Sequence, residues 1–322
     1  MSPRVVVSLL GLVVASQAWG QTAASRLPST TQLEMTGDIA SQMVAGIDRF
    51  LLAQLAKSVT QREQHWQRDL SSAEAYDESI EPNRRALRHM LGVRDDRASH
   101  PKIRFIATTS QNALVGRGDG FDVFAVTWPT LRDVSGTGLL VVPNNAPIKA
   151  TVIAIPDCEI LPEQLVGLTA GVPPSSQYAR RLAENGCRVI VPLLINRAPR
   201  LPNLSNREWL YRSAFELGRG IVCYEVQQMM SLVDWASGEE QQAPIGVIGW
   251  GEGGLVALYT AALDTRIDSV CVSGYFAPRE EIWREPLDRN IFGLLAQFGD
   301  AELATMVAPR SLFGSSANWL SA

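Results

Sequence analysis

The chain has 322 residues and a mass of 35.2 kDa, enough for one large α/β domain or two smaller ones and too much for a mini-protein. Apolar residues make up 46% and charged residues 19%, so a sizeable core can form and disorder is a poor description of the whole. The formal charge of −4 lacks the basic excess that a phosphate backbone demands, which removes nucleic acid as an expected partner.

Behind Arg4, residues 5–15 form an apolar run too short to span a bilayer and of the length of a signal-peptide core. Ala18 and Gly20 frame a cut before Gln21, with a cut after Ala18 as the alternative. The expectation is a signal peptide over residues 1–20 and a secreted or periplasmic protein with no other membrane attachment. Residues 21–100 read as a helical extension. Ile39, Met43, Ile47, Leu51 and Leu55 recur every four residues, which predicts an amphipathic helix lying on another surface. Ser79 is expected to cap a second helix that has Pro82 in its first turn and stops at Gly92.

From residue 101 onward the period changes. Short β-rich runs at 103–109, 121–128 and 138–143, separated by turn signals at 116–120 and 133–136, predict an antiparallel meander. Strand and helix then alternate: strands at 151–155, 188–192, 245–248 and 269–272, and helices through Tyr178, from about Arg207 to Trp235, and from about Glu252 to Leu263. The fold class is therefore α/β, a mostly parallel sheet entered through an antiparallel meander. Four cysteines, Cys158, Cys187, Cys223 and Cys271, allow three disulfide pairings; most lie in apolar runs without a C-x-x-C, and free thiols are the favoured reading. His65, His89 and His100 have no metal-ligand spacing, so neither metal nor cofactor is expected.

The segment Gly249-Trp250-Gly251-Glu252-Gly253-Gly254 joins the third parallel strand to its helix. Read as G-x-G-x-x-G it is a dinucleotide fingerprint, but no acidic residue closes the next strand, and Glu252 sets a negative charge beside the phosphates. Read as G-x-Nu-x-G it is a nucleophile elbow with Gly251 at its apex. Together with Arg180-Arg181-Leu182-Ala183-Glu184-Asn185-Gly186 and Val307-Ala308-Pro309-Arg310, this segment resembles exported bacterial α/β-hydrolases of the acetyl xylan esterase and dienelactone hydrolase kind. The resemblance covers about residues 100–310 and implies a carboxylic-ester hydrolase acting on a small ester or an acylated carbohydrate.

What the resemblance implies for the site departs from the residues present. Gly251 carries no heteroatom, so the nucleophile position holds no nucleophile. Glu252 is expected either to offer its N–H to an oxyanion or to act as a substitute acid, with a dipole-stabilised first-turn carboxylate as the plain alternative. Asp157 and Cys158 stand in the loop that supplies the other oxyanion donors, and Trp250 flanks the pocket. Glu280, Glu281 and Asp288 follow the fourth strand as acid candidates and read as a solvated loop. The segment 275–298, with Trp283, Phe292 and Phe298, reads as helices over the sheet's carboxyl end, either a lid or core. No histidine follows His100, and the C-terminal strands of the fold are expected to be missing, leaving an unpaired sheet edge open to self-association. The expectation is an impaired or inactive esterase-like protein. The alternatives are a non-catalytic ligand-binding or scaffold protein on the same fold and a dinucleotide-binding oxidoreductase.

Overall fold

The computed structural model describes residues 28–31, 34–144, 147–239, 243–279 and 281–315, which fall into two compact units divided after Phe50. The expected signal peptide and Glu280 lie outside the described residues. In the first unit the Asp38 carboxylate opens helix α1 (Ile39–Gln61), accepting from the Ser41 amide and hydroxyl at 3.1 and 2.7 Å. No residue of α1 is buried, and Met43 and Ile47 are exposed. Among the described residues nothing buries the apolar stripe that the periodicity predicts.

The second unit takes in the end of α1 from Leu51 and continues with α2 (Ala73–Ser79) and α3 (Glu81–Leu91). Ser72 caps α2, taking the Ala75 N–H at 3.1 Å, but Ser79 does not cap α3: its hydroxyl turns back to the Tyr76 carbonyl, and α3 begins after Ile80 without a side-chain cap. Gly92, at φ 77°, ends α3 as expected, and Ile80, Leu87 and Leu91 enter the core. The meander follows as β1 (Arg104–Phe105), β2 (Leu114–Gly118), β3 (Phe121–Leu131) and β4 (Val134–Pro143). Then come β5 (Thr151–Ile155), α4 (Pro162–Leu165), α5 (Tyr178–Glu184), β6 (Arg188–Pro192), a small hairpin of β7 (Pro199–Leu201) and β8 (Leu204–Ser205), α6 (Asn206–Glu216), α7 (Ile221–Ser237), β9 (Ile245–Trp250), α8 (Glu252–Leu263) and β10 (Ser269–Ser273).

The long helix expected from Arg207 to Trp235 is two helices. Gly218, at φ 65°, takes a left-handed conformation that ends α6, a break that apolar periodicity does not register. The segment over the sheet's carboxyl end is shorter in its elements than expected: single 3₁₀ turns at Ile282–Arg284 and Leu287–Arg289, then α9 (Leu294–Gln297) and α10 (Asp300–Thr305). Its aromatics divide, Phe298 being buried and Trp283 and Phe292 exposed. A further strand, β11 (Ser311–Ser315), pairs parallel to β10 with Cys271 opposite Phe313. The C-terminal strands were expected to be missing after the fourth parallel strand; β11 is a fifth, so the edge of the sheet on this side, among the described residues, is β11 and not β10.

The sheet order is β1-β3-β4-β6-β5-β9-β10-β11, with β2 also on β3. Both faces are buried by simple alternation. Val126, Trp128, Ile153, Ile155 and Ile190 pack on the side of α3, α7 and α8, whereas Val123, Ala154, Val189 and Val191 pack with Ala179 and Ala183 of α5. Among the described residues no helix is long and apolar enough to cross a membrane. The four cysteines are unpaired.

The β9–α8 turn closes through backbone contact. A Cβ on Gly253 would lie 2.2 Å from the Ile155 carbonyl oxygen, and one on Gly249 would lie 2.0 Å from the Gly253 carbonyl. Neither obstacle is a side chain that can swing away, so Gly253→Ala is expected to cost about 3 kcal/mol, the upper end of overpacking penalties. Gly314→Ala, whose Cβ meets nothing within 4 Å, is the control and should change stability by less than about 0.5 kcal/mol. Urea denaturation of both variants checks this.

Candidate functional site at the β9–α8 turn

β9 delivers Trp250 to the sheet's carboxyl end, Gly251 turns the chain at φ 60° and ψ −119°, and α8 starts at Glu252. That backbone is strained for any residue with a side chain and natural for glycine. The apex is nevertheless occupied. The Asp157 carboxylate, from the loop after β5, sets Oδ2 2.9 Å from the Glu252 amide nitrogen and Oδ1 3.0 Å from the Glu159 amide nitrogen. A Cβ built on Gly251 would lie 2.3 Å from the same Oδ2. The sequence reading expected this loop to contribute amide donors toward a substrate oxyanion; instead it contributes the anion that the donors hold. The physical reason is the positive end of α8, where an unpaired N–H and the helix dipole favour a carboxylate. This also disfavours the dinucleotide reading, because a pyrophosphate would meet a negative charge at that terminus.

Glu252 is not a solvated first-turn carboxylate. It is fully buried, and three guanidinium groups converge on it. Arg197 Nη2 and Arg289 Nε donate to its Oε2 at 2.6 and 2.9 Å, and Arg207 Nη2 donates to Oε1 at 3.2 Å. Arg207, itself fully buried, also grips Glu225 with two bonds of 2.6 and 3.0 Å and donates through Nε to Asp288 at 2.5 Å. Arg197 adds a bond of 2.9 Å to Asp288 Oδ2. Thus three arginines face Glu225, Glu252 and Asp288, with Glu285 pairing Arg289 at the rim. Burial pushes the Asp288 carboxyl up, but hydrogen bonds from Arg197 and Arg207 outweigh it and hold the group below its ordinary range. Burial likewise lowers Arg197 and Arg207, and their carboxylate partners more than restore them, so both stay charged.

The acid candidates therefore separate. Asp288 is 2% exposed inside this cluster rather than in a solvated loop, Glu281 is exposed and pairs with Arg284, and Glu280 is not described. Cys158 is buried with its sulfur 3.0 Å from Arg197 Nη1. Burial and the Asp157 charge push its thiol up to about 12, which keeps it protonated and unreactive. His65, His89 and His100 are exposed and make no hydrogen bond to any residue of the site. Among the described residues no group of three His, Cys, Asp or Glu side chains is placed to hold a metal.

Asp157 and Trp250 share a cavity of about 480 Å³ on the α5 side of the sheet, bounded also by Tyr178, Ile248, Cys271 and Phe313. Tyr178 fixes one wall by donating to the Ile155 carbonyl at 2.7 Å. Cys158 and Glu252 lie away from this space, within the arginine cluster.

Comparison with solved structures matches this architecture. A Bacteroides fragilis protein assigned as an acetyl xylan esterase superposes with a TM-score of 0.60 at 15% identity, over 82% of this chain and 74% of the other. The fold is that of the α/β-hydrolases. A glucuronoyl esterase from Solibacter usitatus superposes with a TM-score of 0.55 at 15% identity, over 77% and 76% of the two chains. No family model and no curated protein matches the sequence.

Arg197, Arg207, Arg289 and Glu225 were not identified from sequence, yet two carried a signal. Arg207 sits in the first turn of α6, where a cation opposes the helix dipole and so calls for a tertiary anion. Glu225 lies in a helix segment buried almost all round, where a carboxylate must be paired. Replacing Arg207 leaves buried Glu225 without its guanidinium partner and removes one of the bonds that hold Glu252 and Asp288. Arg207→Met is expected to destabilise by about 3–5 kcal/mol, read as a lowered midpoint in chemical denaturation.

Proposed function

We propose that this protein is an exported α/β-hydrolase-fold member of the carboxylic-ester hydrolase lineage whose elbow does not carry out acyl transfer, and that its cavity holds a small ester or acylated carbohydrate without turnover. The observation that carries this is the Asp157 carboxylate on the Glu252 amide, within 2.3 Å of the point where a side chain at position 251 would begin. Acyl transfer needs an attacking heteroatom at the apex and free amide donors for the oxyanion that develops. Gly251 lacks the first, and Asp157 consumes the donors while placing a negative charge where negative charge must accumulate. Glu252 cannot substitute, because three guanidinium groups hold it away from any ligand. The apolar run behind Arg4 supports export.

The cavity supports the binding half of the reading. Trp250, Tyr178 and Ile248 offer apolar and aromatic surface, and each Asp157 oxygen keeps a lone pair for a ligand hydroxyl. A second reading gives Asp157 the missing side chain's role as a carboxylate nucleophile, since its oxygen stands at the apex. Both oxygens already accept an amide hydrogen, which lowers their nucleophilicity, and no imidazole is at hand to hydrolyse an ester formed there.

Incubation with p-nitrophenyl acetate is expected to give no burst and no saturable turnover, and a fluorophosphonate probe no covalent adduct by intact mass. Tryptophan fluorescence titrated with acetylated xylotriose should show saturable quenching that Trp250→Phe removes. Saturable hydrolysis abolished by Asp157→Ala would replace this reading with the carboxylate-nucleophile one.

A further inference from the structure

A separate cavity of about 280 Å³ lies among the turns that follow β10, bounded by Arg279, Arg289, Asn290 and the apolar side chains of Ile282, Ile291 and Leu294. Arg279 is its distinctive group. It is 4% exposed, yet among the described residues its one hydrogen bond runs from Nη1 to the Tyr275 hydroxyl at 2.9 Å, it makes no ion pair, and its Nε has no partner. Its neighbours differ: buried Arg207 contacts Glu225, Glu252 and Asp288, and half-buried Arg289 contacts Glu252 and Glu285. A guanidinium shut away from water with no carboxylate in contact, facing only the Tyr275 ring at 5.2 Å and the more distant charges of Asp300 and Glu285, is a costly arrangement for a stable fold. Asn290 Oδ1, on the same cavity, is a buried acceptor without a donor.

We propose that this cavity is a binding site for a small organic carboxylate bearing a hydroxyl group, with Arg279 as the charge partner and Asn290 as the hydroxyl acceptor. The site is distinct from the Asp157 cavity and does not depend on the reading given for that one. A carboxylate fits better than a phosphate. One cation with no carboxylate in contact matches one negative charge, a guanidinium fork suits two carboxylate oxygens, and the charges of Asp300 and Glu285, which already act on Arg279, disfavour a dianion there. The apolar walls call for a ligand with an apolar body, and the volume holds a single small ring.

The test uses the full chain and 4-hydroxybenzoate as the probe, with 4-hydroxybenzamide and inorganic phosphate as comparison ligands, measured by isothermal titration calorimetry. The expected result is that the carboxylate binds at least tenfold more tightly than the neutral amide and than phosphate. Arg279→Met should weaken the carboxylate at least tenfold while raising the thermal midpoint of the ligand-free protein, because it replaces an unpaired buried charge with an apolar side chain. Ile291→Trp, which fills the cavity and leaves Arg279 in place, should also abolish binding. Equal affinity for 4-hydroxybenzoate and 4-hydroxybenzamide, tighter binding of phosphate, no measurable binding of the carboxylate, or a fall in the thermal midpoint of Arg279→Met would each overturn the proposal; the last would show Arg279 to be a structural residue.

Discussion

One carboxylate oxygen, 2.9 Å from the amide that begins α8, organises the site. An N-terminal amide at a tight strand-to-helix turn is an anion receptor by construction, because its hydrogen has no partner in the helix and the dipole adds to it. In an acyl-transfer site that receptor waits for a charge that forms only during reaction. Here the protein fills it permanently with Asp157, and the space the carboxylate needs is the space a side chain on residue 251 would take. The glycine at the apex and the aspartate in the loop are thus two halves of one steric and electrostatic arrangement. Restoring a serine alone would meet an obstruction rather than an empty socket.

The arginine cluster beneath the turn has the complementary effect. Glu252, the residue after the apex, is drawn down by Arg197, Arg207 and Arg289, so the start of α8 is anchored from below while Asp157 occupies it from the loop side. Buried ion pairs of this kind contribute little net stability compared with apolar packing, but losing one partner is severe, since the remaining charges have no water to turn to. The network therefore defines geometry more than it adds to the folding free energy. It joins α6, α7, α8 and the turns after β10.

Much of this was legible in the sequence because it is local. The spacing of Gly249, Gly251 and Gly253 announces a turn that only glycines permit, and the switch from a two-residue to a longer period marks where the meander gives way to alternating strands and helices. What was not legible is non-local. Arg197 and Asp288 are 91 residues apart and Arg207 and Asp288 are 81 apart, and nothing in the composition of either loop selects the other. The loop containing Asp157 and Cys158 was recognised as part of the site, but with the polarity reversed, because sequence position tells which loop arrives and not whether it presents an amide or a side chain. Gly251 itself carries no heteroatom, and the oxygen that stands beside it belongs to a residue 94 positions earlier in the chain, which sequence position alone does not announce.

The most direct test of the central claim is a double-mutant cycle on Gly251→Ser and Asp157→Gly, followed by chemical denaturation. If the carboxylate and the absent side chain compete for one volume, Gly251→Ser should destabilise the native protein clearly more than it destabilises the Asp157→Gly background, with a coupling of about 1–3 kcal/mol. Additive effects within about 0.5 kcal/mol would mean that the two positions do not share that space, and the account of an elbow occupied by its own carboxylate would be wrong.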